Sequence, residues 1–212
     1  NFLRENKIIN FNIIFDIGAH KGESISFFLK NFNVDKIISF EPSPINFEKL
    51  KKNTLLLKEK YKKSKILIEN LGIGKKKEKV KLKQHLESSS STINDFNMGS
   101  NYFKRKNKFL NLKNNFFKEV DINVIILEDY ITKNDIKKID LLKIDTEGYE
   151  FDVLRGLNDK IDLVDLVMFE HHYDDMLKKS YTFQDINALL KKHNFTKIFK
   201  SQMPFRKSFE YI

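Results

Sequence analysis

The chain contains no cysteine. Disulfides and thiolate zinc sites are therefore excluded, and a reducing, cytoplasmic setting is the expectation. Glycine and proline are scarce, 7 and 3 of 212 residues, whereas 41% of the chain is hydrophobic. That balance belongs to a folded globular protein. No apolar run reaches the roughly 18 residues of a membrane span, and no signal peptide is visible. The first residue is Asn, which leaves open whether the natural N-terminus is complete. The length fits one domain over residues 1–212, with a well-buried core.

The formal net charge is +10, which raises the question of nucleic acid. The lysines are spread over the whole chain, however, and Lys, Ile, Asn and Phe are abundant together, as in an AT-rich genome. Nucleic-acid binding is therefore disfavoured, while an anionic small substrate, such as a phosphate or nucleotide sugar, suits the same field.

Apolar runs alternate with helical patterns, the signature of βα units that build a mainly parallel sheet. Strands are predicted at Phe11 to Ile17, Lys36 to Phe40, Ile66 to Leu71, Asp140 to Ile144 and Asp165 to Phe169. A short strand is expected at Lys79 to Leu82, and order resumes after a gap at Ile122 to Leu127. Helices are predicted at Glu23 to Phe32, at Pro44 to Lys60 behind an N-terminal Pro, and at Tyr149 to Arg155, ended by Gly156. Thr182 and Asp185 form a capping-box pattern opening a helix to Lys192. Lys197 to Lys200 and Phe209 to Ile212 read as a closing antiparallel pair. From His85 to Glu119 the pattern dissolves into four serines and a basic, aromatic mixture. A loop of that length is either a functional lid or a solvated segment whose basicity is compositional.

Four local signals carry chemistry. The first is Asp16-Ile17-Gly18-Ala19-His20-Lys21-Gly22, between a strand and a helix. Its glycines let the backbone turn sharply and approach a ligand at a helix start. It lacks the G-x-G-x-x-G spacing of dinucleotide sites and the G-K-[ST] ending of a P-loop. The second is Glu41, in Phe40-Glu41-Pro42 at the end of the second strand. An acid there can accept both ribose hydroxyls of an adenosine-containing ligand. The third is Lys143-Ile144-Asp145-Thr146-Glu147-Gly148-Tyr149-Glu150, at the carboxyl end of a buried strand, where Asp145 is best placed to reach cofactor or substrate. The fourth is Glu170-His171-His172, expected directly after the next strand. His171 reads as a general base, as a divalent-metal ligand with Asp145 and Glu170, or as a structural histidine bonded to the loop backbone.

The set DIGAHKG, FEP, KIDTEGYE and VMFEHH, in this order, resembles the FkbM-type methyltransferases, a branch of the class I S-adenosylmethionine-dependent enzymes. Leu127-Glu128-Asp129-Tyr130 resembles the LDDY segment that the family carries before its KIDTEGYE-like block. The resemblance covers about Phe11 to Tyr173. It implies a Rossmann-like α/β fold, with a mostly parallel sheet of about seven strands, helices on both faces and an inserted lid at about 85–119. It also implies S-adenosylmethionine as cofactor, with a divalent metal left open. The implied cofactor contacts are Asp16, Gly18, Ala19, His20 and Gly22 around the methionine part, Glu41 and Pro42 at the ribose, and Gly72, within Asn70 to Ile73, near the adenine. Asp145 would lie beside the transferable methyl group. The family usually has Asn where this chain has His20.

By the same resemblance the reaction is O-methylation, with a sugar or anionic sugar derivative of a surface polysaccharide as the leading acceptor. His171 or Asp145 would remove the acceptor's proton, with Glu170 orienting one of them or sharing a metal. Two other readings stay in view. A nucleic-acid (RNA) methyltransferase would share the fold, but no Asn-Pro-Pro-Tyr-like or Pro-Cys element is present to grip a flipped base. A non-catalytic interaction protein is disfavoured by the intact Gly18, Gly22, Glu41 and Asp145. The oligomeric state, homodimer included, is left open.

Overall fold

The computed structural model of the chain describes residues 2–85, 91–101, 103–105, 117–203 and 207–212. In chain order the elements are α1 (Phe2–Glu5), β1 (Asn10–Ile17), α2 (Glu23–Asn31), β2 (Asn33–Phe40), α3 (Pro44–Lys60), β3 (Lys65–Glu69) and β4 (Gly72–Gly74). There follow β5 (Glu78–His85), β6 (Ser91–Thr92), β7 (Phe117–Ile126), α4 (Leu127–Lys133), β8 (Ile139–Ile144) and α5 (Glu150–Arg155). A 3-10 turn (Asn158–Leu163), β9 (Val164–His172), α6 (Phe183–Lys192), β10 (Lys200–Gln202) and β11 (Ser208–Tyr211) complete the order.

Seven strands form the main sheet in the order β10-β11-β9-β8-β1-β2-β3. Neighbours from β9 to β3 pair in parallel, whereas β11 pairs antiparallel with β9 and with β10. The expected α/β fold, Rossmann-like with a mostly parallel sheet of about seven strands, is the fold observed. Strand order reverses at β1, flanked by β2 on one side and β8 on the other, and open α/β sheets bind ligands at such a switch point.

Strand side chains alternate between faces, and the two faces carry separate cores. One holds Ile14, Ile37 and Leu141 against Ile25, Phe28 and Leu29 of α2 and Leu50 of α3. The other holds Phe15, Ile38, Leu142, Val167 and Phe169 against residues of α4, α5 and α6. Each fully buried Phe or Leu here stabilises the fold by about 2 kcal/mol. The helix starts match their sequence signals. The Ser43 side chain accepts from the Asn46 N–H ahead of Pro44, and Thr182 with Asp185 makes a reciprocal capping box. Among the described residues no helix is long and apolar enough to cross a membrane.

The second sheet differs from expectation. The short strand expected near Lys79 is one arm of a long antiparallel pair, β5 with β7. Its charged residues alternate on an exposed face, so the sequence presents no continuous apolar run. β4 and β6 pair at either side, and part of the stretch expected to be patternless is thus strand.

Candidate functional site

Residues 18–22 must reverse the chain between β1 and α2. Gly18 does so with φ 84, and a Cβ at that position would stand 1.9 Å from the carbonyl oxygen of Asp145. Only glycine lets the two strand ends approach so closely. The Gly18 and Ala19 N–H groups donate to the Phe40 carbonyl, and the Asp145 N–H donates to that of Ile17. The ends of β1, β2 and β8 are thereby tied together. His20 also takes a left-handed backbone, φ 50, and its N–H donates to Glu41 Oε2 at 2.8 Å. Its ring Nδ1 lies 3.0 Å from Glu23 Oε1.

Glu41 is 4% exposed. Oε1 accepts from the Ser43 N–H at 2.9 Å while Oε2 takes that of His20. Burial pushes its carboxyl up to about 7, against the pull of these two N–H groups and Asn46, with Asp16 adding to the rise. Asn70 donates to the carbonyls of Glu41 and Pro42, which fixes the turn toward Gly72.

The three acids of the block after β8 have three different settings. Asp145 is 3.4 Å from Lys143 Nζ, which also stands 3.3 Å from Asp16 Oδ1. Burial alone would lower the Lys143 pKa, but Asp16 and Asp145 hold it above its ordinary value. Glu147, with φ 51, contacts His172. Glu150 is buried and turned inward: Oε1 accepts from the Thr146 N–H and hydroxyl and the Gly148 N–H, and Oε2 from the Tyr181 hydroxyl. It holds the loop in shape.

Glu170-His171-His172 lies inside β9, paired with β11, not after the strand. Consecutive strand residues point to opposite faces, and this overturns the expected grouping. His171 packs against Tyr173 (ring centroids 4.8 Å), Phe183 (5.8 Å) and Tyr181 (6.0 Å). Burial, with the charges of Lys179 and His172, pushes its pKa down to about 4. It is not brought to Asp145 and Glu170, and no group of three or more His, Asp and Glu able to hold a metal occurs among the described residues. His172 is on the Glu170 face, 3.2 Å from Glu147 and 3.5 Å from Glu170, with Asp174 at its other nitrogen. Burial alone would lower its pKa, but Asp174, Glu147 and Glu170 push it up to about 10. It is therefore a cation near neutral pH. Glu170 is raised by burial, with Asp145 and Glu147 adding and Ser208 and His172 opposing.

These elements enclose a cleft of about 830 Å³. Gly18, Ala19, His20, Glu41, Pro42, Gly72, Asp145 and Glu170 line it, as expected residues brought together. Asp16 and Gly22 stand behind the wall. Asp16 is fully buried and accepts from Ser24 at 2.6 Å, while Gly22 (φ 92) makes way for Leu50 of α3. Sequence reasoning assigned no role to Lys143, Glu147, Tyr149 or Glu210, all in the lining. The first three lie in the KIDTEGYE block, where their spacing gave the signal. Glu210 had none, because it reaches the cleft only through the pairing of β11 with β9, opposite Glu170. Phe27, Phe28 and Phe199 extend the cleft with aromatic walls.

The described part of the 85–119 stretch crosses this mouth. Ser91 and Ile93 line the cleft, Thr92 and Asn94 donate to the Glu147 and Gly148 carbonyls, and Phe96 and Phe103 pack on Met176 and Leu177. The expected run of four serines lies largely outside the described residues, as do Tyr102, Phe109 and Phe116.

Comparison with known proteins agrees with this architecture. A Methyltransferase 1 of Beauveria bassiana (strain ARSEF 2860) is 27% identical over 163 residues, 75% of this chain and 64% of that protein. The solved methyltransferase FkbM from Methylobacillus flagellatus KT superposes with a TM-score of 0.61 at 16% identity, over 96% of this chain and 44% of the other. M. capricolum TrmK, solved with S-adenosyl-homocysteine, superposes with a TM-score of 0.52 at 11% identity, over 98% of this chain and 64% of the other. These two structures bear on the fold alone. The chain thus spans less than two thirds of the length of each of the three. The sequence profile of the methyltransferase FkbM domain matches residues 16–197, and the chain belongs to that family.

Proposed function

We propose that this chain is an S-adenosylmethionine-dependent O-methyltransferase acting on a sugar hydroxyl, as a single domain whose 85–119 segment serves as the lid. The observation that carries the cofactor half is Glu41, a buried carboxylate beside the glycine turn, facing the cleft. An adenosine ribose offers two hydroxyl donors, and a carboxylate at the end of the second strand is their natural acceptor. Gly18, Ala19 and His20 would hold the methionine part, Pro42 and Gly72 the nucleoside. When bound, S-adenosylmethionine supplies an electrophilic methyl on a sulfonium leaving group.

For the acceptor, the other half of the cleft combines carboxylates with aromatic walls. Asp145, Glu147, Glu170 and Glu210 line it with Phe27 and Phe199. Carboxylates accept hydroxyl protons, and rings cover the apolar faces of a sugar. The charge there favours an acceptor free of phosphate, in place of the anionic sugar expected from net charge. Glu170 is the general base, since its raised pKa makes it more basic than an exposed carboxylate. It would take the acceptor's hydroxyl proton and so leave that oxygen nucleophilic toward the methyl group that the bound cofactor would supply. Asp145, held by Lys143, orients the acceptor, and closure of the lid excludes water. No step is assigned to a metal.

The test is methyl transfer from S-adenosylmethionine to neutral saccharides, nucleotide sugars and RNA, read by a mass gain of one methyl. A gain on saccharides is expected. A gain confined to RNA, or to nucleotide sugars, would overturn the acceptor assignment. Glu170→Gln should lower kcat by about 10²–10⁴-fold with cofactor affinity kept, the range for loss of a general base.

A further inference from the structure

α3 is held to the sheet by a narrow stripe. Asn46, Leu50 and Thr54 are its buried positions, and residues four apart lie on one side of a helix. The opposite ridge runs Ile45, Lys49, Lys52 and Leu56, all exposed. Ile45 is 48%, Leu55 60% and Leu56 68% exposed. A single apolar side chain on a surface is ordinary. A pair of leucines set among lysines on one open helix face is the composition of an interfacial helix. From Pro44 to Lys65 the chain holds eight lysines against two glutamates, a formal charge of +6, and all eight lysines are exposed. Among the described residues the one ion pair in this stretch joins Lys51 to Glu48, at 3.8 Å. The positive charge of α3 is thus left facing solvent.

We propose that the outward face of α3 docks the protein on an anionic lipid surface, with its lysines over the headgroups and Leu55 and Leu56 inserted beneath them. The helix has 17 residues, so it lays a basic face about 25 Å long along the bilayer. Anionic headgroups attract several of these lysines at once, and the leucines gain by leaving water. The two contributions act together, which is why the leucines matter to the choice of partner. A nucleic acid would engage the lysines but leave the leucines in water, and no aromatic ring of α3 is exposed for bases to stack on. A second copy of the chain would bring two faces of like charge together. Asn46, on the inner stripe of the helix, lines the cleft, so docking through the outer ridge leaves the cleft uncovered. The docking is independent of the acceptor and of the cofactor assigned above.

Co-sedimentation with two kinds of vesicle tests it: phosphatidylcholine alone, and equal parts of phosphatidylcholine and phosphatidylglycerol. The protein should sediment with the mixed vesicles, less so as salt is raised, and stay in solution with phosphatidylcholine alone. Lys49→Ala, Lys52→Ala and Lys60→Ala together should weaken binding to the mixed vesicles by about 10²-fold, near fivefold for each lysine. Leu55→Ser with Leu56→Ser, which leaves every charge in place, should weaken it by about tenfold. Both variants change exposed side chains only, so their Tm should stay within about 2 °C of the wild type. A protein that ignores the mixed vesicles overturns the proposal, as does binding that neither variant weakens. Binding that the leucine variant leaves unchanged removes the insertion and overturns it as well. Two competing partners are read in parallel, a labelled RNA oligonucleotide by fluorescence anisotropy and a second copy of the chain by sedimentation velocity. Tighter binding to RNA than to the mixed vesicles, or a dimer that the leucine variant dissociates, would assign this face to that partner and overturn the lipid reading.

Discussion

Replacing Glu41 by Gln keeps the shape of the side chain and removes the charge, and the consequences for stability and for binding run in opposite directions. Its carboxyl titrates near 4.5 when unfolded and at about 7 in the folded chain, chiefly because it is buried. An acid with a raised folded pKa holds its proton more tightly when folded. Its contribution to stability is therefore highest below pH 4.5, falls between 4.5 and about 7, and is level above. The shift corresponds to about 3 kcal/mol lost near pH 8 in the ligand-free protein. Gln avoids this loss but offers one acceptor oxygen where the carboxylate serves two N–H groups, which returns about 1–2 kcal/mol. The net expectation is a gain of about 1–2 kcal/mol, or about 3–6 °C in Tm for a chain of this size.

Binding should move the other way. Only the ionised carboxylate accepts from both ribose hydroxyls, so wild-type affinity for S-adenosylhomocysteine should be about tenfold weaker at about pH 6 than at about pH 8. E41Q should bind about 10²-fold more weakly near pH 8, with no dependence on pH across that interval. Scanning calorimetry gives the first quantity and titration calorimetry the second. If E41Q melts below the wild type near pH 8, or if wild-type affinity is flat from about pH 6 to 8, the argument from burial is wrong.

Three further outcomes follow from the same geometry. Gly18→Ala places a methyl on the Asp145 carbonyl and forces a positive φ on alanine; thermal denaturation should show a loss of more than about 3 kcal/mol or an unfolded chain. Lys143→Met leaves Asp16 buried without its cation and should cost about 3–5 kcal/mol in denaturant titration, whereas K143R should lose less. His172 has a raised pKa, so its contribution to stability is full below about 6.5 and is lost as pH climbs toward about 10. H172N should therefore be destabilised at neutral pH and flatten the alkaline decline in Tm, and an unchanged decline would remove His172 as its source.

Much of the site was legible because it is local. A glycine turn after β1, an acid closing β2 and an acidic block after β8 are each short motifs. Period-2 and period-3.6 patterns put them at strand ends, where a parallel sheet gathers its ligands. The long arms of β5 and β7 were not legible, because half of each faces solvent and charge interrupts the apolar pattern.

The sequence alone determined the strand-helix order of the main sheet, the capping of α3 and α6, and the short motifs at the ends of β1, β2 and β8, since each depends on neighbours within a few positions. Tertiary structure decided the faces. Extending β9 through His172 sent His171 into an aromatic cluster and turned Glu170 and His172 toward the cleft side. Pairing β11 with β9 brought Glu210 opposite Glu170 from 40 residues away, and the parallel pairing of β8 with β1 set Lys143 between Asp16 and Asp145. Which face a strand residue takes depends on where the strand ends and what pairs with it, and those contacts lie far apart in the chain.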